Sequence, residues 1–286
     1  MVLFCDSNCE LWHDEVERLN LKVIKMPYTI DGQEYYYDMG KETDFAAFYE
    51  KIRNKIIPTT AALNECDYIE YFEPFLKEGE DIFYITFSHK MSATFESMDK
   101  AIAVLNKRYP KRTITIYDTK NICMGAGYIV YQAAKKWNAG ASAEELIKYL
   151  DFIRQHTAIY FGVDDLFHLK RGGRLSGAAA AFGSILGVKP ILSVDDEGKL
   201  SPVFKVKGAK MLVSKLAALY NELNGGLSEY DEIFILHADS EKKAEELKEK
   251  IKELTGGKAK VKVQIIGPVV ATHCGPGVIG IVFYKA

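Results

Sequence analysis

The sequence predicts a two-part fold, an N-terminal α/β/α domain with a mostly parallel sheet and a C-terminal α+β domain with a mixed sheet. In the first half, short apolar runs alternate with stretches of helical periodicity, which is typical of parallel α/β domains. The second half opens with two runs around an acidic, glycine-containing turn, which indicates a hairpin. Because 286 residues are many for one core, we predict domains at 1–162 and 163–286.

The first-domain elements follow from runs of two kinds. Short apolar runs predict strands at 2–5, 23–26, 82–87 and 113–117. Apolar residues at helical spacing predict helices at 10–19, 44–55, 64–77, 94–108 and 125–137. Ser142 and Glu145 form a capping box, which predicts one more helix that ends near His156.

The pattern changes after an apolar run at 157–163. The runs 191–194 and 200–206 flank the segment from Asp195 to Lys199, whose Gly198 favours a tight turn. Helices are then predicted at 210–221 and 240–255, and strands at 233–237, 261–266 and 279–284. A hairpin followed by helices that alternate with strands predicts a mixed sheet.

Composition narrows the function. Hydrophobic content of 48%, charged content of 27% and a net charge of −2 are ordinary for a globular protein and do not favour nucleic acid or an anionic membrane as a partner. The uncharged stretch Leu175–Val188 is too short and too rich in Gly and Ala for a spanning helix. Asp6 interrupts the first apolar run, so no signal core is predicted. Five scattered cysteines without a CxxC pair indicate reduced thiols, and we expect a cytoplasmic protein without integral membrane association.

Several catalytic signatures are missing from the sequence. It contains no GxxxxGK[ST] phosphate loop, no GxSxG nucleophile elbow and no HExxH metal motif. Its GxGxxG match, Gly275 to Gly280, runs into the predicted strand 279–284 and not into a helix, so it is not a dinucleotide-binding fingerprint. The sequence therefore predicts neither a nucleotide cofactor nor a metal.

A glycine-arginine turn stands next to the uncharged stretch. Gly172-Gly173-Arg174 supplies a cation and bare backbone amides, and the residues from Gly177 to Val188 are small or apolar. As a helix these twelve residues would span roughly 18 Å, comparable to a long alkyl chain. This pairing suits a ligand with one anionic end and a long apolar body.

Hydroxyl side chains follow predicted strands and precede predicted helices. In open α/β sheets ligands bind beyond the carboxyl ends of the strands, where Ser88, Ser92 and Thr94 follow the run 82–87. Ser92 can cap a helix and contact an anion there, since the two roles are compatible. Thr59 and Thr60, also ahead of a helix, add two more hydroxyls.

A histidine precedes a turn of restricted geometry. His273 is followed by Cys274-Gly275-Pro276-Gly277, and the two glycines and the proline define the backbone path there. A single histidine can be structural or functional. Arg174, in its glycine turn near the predicted domain boundary, is the cation that could reach the same cleft.

Taken together, these segments resemble the DegV family, bacterial fatty-acid-binding proteins that include the binding subunits of fatty-acid kinase. The similarity runs along nearly the whole chain in ordered motifs. They are the opening DS turn at Cys5-Asp6-Ser7, the TS-containing segment at Pro58-Thr59-Thr60, the SSxLSGT loop at Ser88 to Thr94, the DS/T-K turn at Asp118-Thr119-Lys120, the LxxGGRxS element at Leu169 to Ser176 and the HxGPG turn at His273 to Gly277.

The resemblance implies a ligand and the residues that hold it. It places carboxylate contacts at Thr60, Ser92, Arg174 and His273, with Thr59 competing for the role of Thr60; Ser88 and Thr94 are further hydroxyl candidates. The ligand is expected to be a fatty acid of the palmitate or oleate class, with no cofactor. Its tail would lie in an apolar tunnel near the domain interface. Candidate wall residues are Phe161, Phe167, Phe182, Ile185, Leu186 and Ile191.

Two positions depart from the family pattern. Ala93 stands where the SGT-type loops have Gly, which could narrow the approach of the backbone to the head group. Lys207 stands where the family often has Arg, in a position implicated in meeting the kinase partner. Lysine keeps the charge there but loses bidentate geometry.

The function implied is that of a non-catalytic subunit. It would present the carboxylate of the bound acid to a separate Dak-type fatty-acid kinase, which would form an acyl phosphate. One alternative is an acyl hydrolase or transferase with Ser92 as nucleophile and His273 as base. Another is a regulatory protein whose lipid only stabilises the fold.

Overall fold

The computed structural model describes residues 1–164, 166–175, 187–224 and 232–286. The strands of the first half are β1 (Val2–Asp6), β2 (Lys22–Ile24), β3 (Pro27–Ile30), β4 (Gln33–Tyr36), β5 (Thr59–Thr60), β6 (Ile82–Thr86) and β7 (Ile114–Asp118). Those of the second half are β8 (Thr157–Gly162), β9 (Val188–Val194), β10 (Leu200–Lys207), β11 (Glu232–His237), β12 (Lys260–Ile265) and β13 (Ile279–Tyr284).

Helices alternate with these strands along the chain. In the first half they are α1 (His13–Arg18), α2 (Phe45–Arg53), α3 (Glu65–Lys77), α4 (Thr94–Arg108), α5 (Cys123–Asn138) and α6 (Ala143–Gln155). In the second half they are α7 (Phe167–Arg171), α8 (Ala209–Leu223), α9 (Glu241–Thr255) and α10 (Pro268–Cys274).

A parallel sheet of order β2-β1-β6-β7 organises the first half. Every residue of β6 is buried, as expected for an inner strand covered on both faces. The predicted capping box of Ser142 and Glu145 starts α6, and Asn64 with Asp67 forms another at the start of α3. The carboxyl ends of the four parallel strands face the second half of the chain.

A six-stranded mixed sheet of order β10-β9-β8-β13-β11-β12 organises the second half. The predicted hairpin joins β9 to β10 in antiparallel register around Asp195 to Lys199, while β11 and β12 run parallel. Helices α8 and α9 cover one face of the sheet, in a core that includes Leu216, Leu247 and Ile281. The predicted fold class, parallel sheet first and mixed sheet second, is confirmed.

The opposite face of the mixed sheet packs on the first half. Tyr128 and Tyr131 of α5 make edge-to-face contacts with Phe234 of β11, at ring-centroid distances of 6.1 and 5.8 Å. The main hydrophobic core therefore continues from the parallel sheet through α5 to this face. Strand β8, which ends at the predicted boundary, lies in the mixed sheet, and the division at residue 162 stays a prediction.

A small antiparallel sheet of order β4-β3-β5 was not predicted. Its hairpin turns at Asp31-Gly32, both with positive φ (55° and 73°), and an Asp-Gly pair between such runs is a recognised hairpin signal. Strand β5 contributes only two residues, and no sequence pattern identifies a strand that short. This sheet matters because it presents Thr60.

Three of the described helices differ from the sequence prediction, and one of them, α7 (Phe167–Arg171), was not predicted at all. The helix predicted over 10–19 starts at His13, because Glu10 adopts a left-handed conformation (φ 61°) and its buried carboxyl group accepts hydrogen bonds from the Gly267 amide and the Tyr37 hydroxyl. Helix α10, which ends one residue after His273, was not predicted. Pro268 at its first position was the available signal.

Candidate functional site

One pocket lies between the carboxyl ends of the parallel strands, helix α10 and the inner face of the mixed sheet. It encloses about 920 Å³ of space between atoms, including part that is open to solvent. Its wall combines few polar groups with many apolar side chains. The apolar part includes Met26, Phe87, Met91, Ile122, Ile159, Phe161, Leu169, Leu200, Leu236, Ile266, Val269, Val270 and Val278, and the polar part is Asn8, Thr60, Ser92, Arg174 and His273.

Thr60 and His273 meet at the pocket wall. The Thr60 hydroxyl lies 2.9 Å from Nε2 of His273. In β5, Thr60 pairs with Tyr28 and Thr59 with Thr29. Because successive strand residues point to opposite faces, Thr60 lines the pocket while Thr59 is exposed and does not.

His273 is neutral in this environment. Burial, together with the positive charges of Arg174 and Arg171, lowers its pKa to about 4. Its Nδ1 atom is buried and has no hydrogen-bond partner in the described part of the chain. The neutral imidazole donates to the Thr60 oxygen when its proton is on Nε2, and accepts from the Thr60 hydroxyl when its proton is on Nδ1. In the first tautomer the hydroxyl proton of Thr60 is free to point into the pocket.

Arg174 connects two loops while lining the pocket. Its Nε donates to the Met91 carbonyl at 3.0 Å, and Nη1 donates to the Gly172 carbonyl. The side chain is half-buried, and desolvation lowers the pKa of its guanidinium from the usual value. It therefore organises the glycine turn and also places a positive charge at the pocket wall.

Ser92 lies in the loop that Arg174 holds. It is half-buried at the pocket wall, and its hydroxyl oxygen accepts a hydrogen bond from the Thr94 amide at 3.2 Å, at the start of α4. Its proton remains available to a ligand. Ala93 has an ordinary right-handed conformation (φ −77°), so a residue with a Cβ fits where the family motif has Gly.

Ser88 and Thr94, the other predicted hydroxyls, do not line this pocket. Ser88 donates to the Gly198 carbonyl at 2.7 Å and so fastens the hairpin turn of the second half to this loop. Thr94 is buried between the Leu63 amide and the Tyr68 hydroxyl.

Only part of the predicted apolar wall lines the pocket. Phe161 lines the pocket, whereas Phe167 is 60% exposed and Ile191 packs in the core on the other face of the mixed sheet. Phe182, Ile185 and Leu186 lie outside the described residues, as does most of the uncharged stretch after Arg174. Lys207 is exposed at the end of β10.

Several lining residues were missed by sequence reasoning. Leu236, Val278 and Gly280 come from inner strands of the mixed sheet or their ends, where apolar residues are expected whether or not a pocket is present. Asn8 and Met26 follow β1 and β2, and a polar residue just after a strand was the only available signal for Asn8.

Gly172 makes room for the ring of His273. A Cβ built at Gly172 would lie 2.5 Å from Nδ1 of His273, whereas one at Gly173 (φ 71°) would meet nothing within 4 Å. We expect Gly172→Ala to displace the imidazole from Thr60 and to weaken, about tenfold, the binding of the fatty acid that the family resemblance predicts. Gly173→Ala is the control, expected to lower the free energy of unfolding by ~1 kcal/mol through its left-handed backbone but to leave affinity unchanged. Fluorescence displacement and urea unfolding measure the two effects, and equal affinities for both variants would contradict this assignment.

The buried carboxyl group of Glu10 makes a hydrogen bond at the start of helix α10. Glu10 is fully buried, and its Oε2 accepts from the Gly267 amide at 2.9 Å, at the start of the helix that carries His273. Desolvation raises the pKa of Glu10 to about 8. The group is therefore mostly protonated at neutral pH, and its role is to hold the start of α10.

This pKa predicts a pH dependence of stability. Because the folded-state pKa lies above the usual 4.5, the unfolded chain releases its proton first, and the free energy of unfolding falls as pH rises from about 4.5 to about 8. Glu10→Gln should remove that loss, so that the variant gains on the order of 3 kcal/mol relative to wild type between pH 5 and pH 7.5. Urea unfolding at both values measures the difference, and parallel pH profiles for the two proteins would contradict it.

Within the described ranges, no group of three or more His, Cys, Asp or Glu side chains is arranged to hold a metal ion. Nor does any helix of those ranges combine the length and the apolar character needed to cross a membrane.

Comparison with known proteins finds matches that extend over the whole chain. The sequence model of an uncharacterised protein family, DegV, matches residues 1–286. A DegV domain-containing protein of Clostridium perfringens is 37% identical over 284 residues, which cover 99% of this chain and 96% of the relative.

Solved structures of similar fold are described as fatty-acid binders. DegV of Bacillus subtilis, a fatty acid binding protein, is 27% identical with a TM-score of 0.83, and the match covers 100% of this chain and 99% of the other. A DegV family protein of Thermus thermophilus, described by its fatty acid binding, has the same identity, TM-score and coverage. The fatty acid binding DegV family protein of Streptococcus agalactiae is 26% identical with a TM-score of 0.85, covering 100% of this chain and 98% of the other.

Proposed function

The chain belongs to the DegV family, and from that membership and its pocket we propose that it binds a long-chain fatty acid of the palmitate or oleate class. The observation that carries the proposal is the composition of the pocket wall. Thr60, Ser92, Arg174 and His273 line it together with many apolar side chains. The fatty acid binding described for the relatives of Bacillus subtilis and Thermus thermophilus supports the same ligand class.

The polar groups suit a carboxylate. A carboxylate leaves water only where donors and a positive charge replace its hydration. The hydroxyl protons of Thr60 and Ser92 are the donors, and Arg174 supplies the charge. Burial and the charges of two nearby arginines keep His273 neutral. With its proton on Nε2, His273 donates to the Thr60 oxygen and leaves the Thr60 hydroxyl proton for the ligand without adding a further charge to the site.

The apolar wall accounts for most of the affinity. Burying a methylene contributes about 0.8 kcal/mol, so a tail of about fifteen methylenes contributes about 12 kcal/mol before ordering costs. The head-group contacts mainly fix which end of the acid lies at Thr60.

Native mass spectrometry of the protein purified from cells tests the proposal. We expect an added mass equal to a long-chain fatty acid, lost on delipidation and restored by labelled palmitate or oleate. A protein that carries no acyl chain and takes up neither acid would contradict it.

We further infer that the chain presents the bound carboxylate to a separate Dak-type kinase and does not act on it alone. In that reaction a carboxylate oxygen attacks the γ-phosphorus of ATP, the bond to the β-phosphate oxygen breaks, and acyl phosphate and ADP form. The sequence contains no GxxxxGK[ST] phosphate loop for ATP, which fits this division of labour. The exposed Lys207 is the proposed contact with the kinase.

A reconstituted assay with a fatty-acid kinase, ATP and palmitate measures acyl phosphate by trapping with hydroxylamine. We expect formation only with both proteins present, and less of it with Lys207→Glu at unchanged palmitate affinity. Equal rates with and without this chain would contradict the presenting role.

The hydrolase alternative requires His273 to activate Ser92. The hydrogen bond of His273 Nε2 goes to Thr60 instead, and none joins it to Ser92 in the described part of the chain. Turnover of p-nitrophenyl palmitate by the isolated chain, abolished by Ser92→Ala, would favour this alternative.

The cytoplasmic location stays a prediction from cysteine usage.

A further inference from the structure

A polar atom in the pocket wall, the side-chain oxygen of Asn8, has no hydrogen-bond partner among the described residues. Asn8 follows β1, is 6% exposed and lines the pocket. Its backbone amide donates to Asp6 Oδ1 at 3.0 Å, but its own side-chain Oδ1 is buried without a hydrogen-bond partner among the described residues. Buried amide groups normally have partners, so an unpaired one in a binding pocket points to a ligand group.

Asn8 is separate from the hydrogen bonds that link the proposed head-group residues. Thr60 bonds to His273, and Arg174 bonds to the loop and turn on either side of it. No hydrogen bond joins the side-chain oxygen of Asn8 to these residues in the described part of the chain.

The chain around Asn8 is held by a different set of contacts. Asp6 accepts from the Phe87 amide at 3.1 Å, and the Ser7 hydroxyl accepts from the Met26 amide at 2.9 Å. Met26 and Phe87 line the pocket with apolar side chains. Asn8 is therefore a polar point in an apolar stretch of wall.

We propose that Asn8 selects acyl chains that carry a hydroxyl group, whose proton its side-chain oxygen accepts. The inference rests on the proposed function, because it assigns a substrate feature to the same pocket. A saturated chain leaves the amide unpaired against methylenes, whereas a hydroxyl at the matching carbon satisfies it. The gain from one such neutral hydrogen bond corresponds to about 5- to 10-fold in affinity.

The test compares stearate with a series of monohydroxystearates in which the hydroxyl moves along the chain. Delipidated protein is titrated with each acid in a fluorescence displacement assay. We expect one positional isomer to bind about 5- to 10-fold more tightly than its neighbours in the series. Asn8→Leu, which has nearly the same shape without the amide, should remove that preference and tighten stearate binding.

Met26→Leu is the matched control, since it changes an apolar neighbour and should leave the preference in place. Binding of stearate by Asn8→Leu also demonstrates that this variant is folded.

Other outcomes separate the two proposals. If all isomers bind alike in the wild type, the amide is satisfied by water and the inference is overturned. If Asn8→Leu weakens stearate and every isomer equally, the amide holds the carboxylate, which also overturns it. If the wild type binds no acid at all, the proposed function itself fails.

Discussion

Replacing Thr60 by valine is expected to weaken palmitate binding about 10- to 100-fold. Valine keeps the shape of threonine but removes the hydroxyl that lies at the pocket wall, 2.9 Å from Nε2 of His273. A hydrogen bond to a charged group contributes about 1.5 to 3 kcal/mol, and its loss leaves the carboxylate poorly paired. Isothermal titration of delipidated protein measures the change in Kd.

Thr59→Val is the matched control for this substitution. Thr59 is the neighbouring residue of β5, is exposed and does not line the pocket, so palmitate affinity should not change. The pair decides between the two threonines that the sequence could not separate. Equal losses in both variants, or a loss only in Thr59→Val, would contradict the assignment of Thr60.

Lengthening the acid from twelve to sixteen carbons is expected to tighten binding about 200-fold. Each added methylene buried against the apolar wall contributes about 0.8 kcal/mol, close to fourfold in Kd. The gain should stop where the chain reaches the end of the pocket, so the series also measures its length. Titrations below the critical micelle concentration of each acid give the slope.

The same series on Thr60→Val provides the control. Head and tail contacts are far enough apart to act independently, so the slope per methylene should persist while every Kd shifts by the same factor. A slope below about twofold per methylene in the wild type would mean that the tail stays in water and would contradict the role given to Leu236, Ile159 and their neighbours.

Much of the fold was predictable because local patterns report it directly. The buried run of β6 and the turn around Gly198 identify a parallel strand and a hairpin without reference to the rest of the chain. The start of α1 was not predictable from local sequence. Glu10 has a left-handed backbone conformation, and its side chain makes a long-range hydrogen bond with the amide of Gly267, the residue before α10. Strand β5 was missed because pairing with β3, not its own composition, makes it a strand.

The candidate site, like the fold, was predictable from sequence in some of its features and not in others. Resemblance to family motifs singled out Thr60, Ser92, Arg174 and His273, and the structure brings all four to one pocket, although their contact with a ligand stays a prediction. Sequence alone could not tell that the hydroxyl of Ser88 faces the Gly198 carbonyl, because the direction of a side chain in a loop depends on distant segments.

A crystal structure of the protein with palmitate tests the central claim most directly. We expect continuous density for one acyl chain, with its carboxylate within hydrogen-bond distance of the Thr60 and Ser92 hydroxyls and its tail between Phe161, Leu236 and Val269. A pocket without the acyl chain, or a chain bound with its carboxylate away from Thr60 and Ser92, would contradict the account.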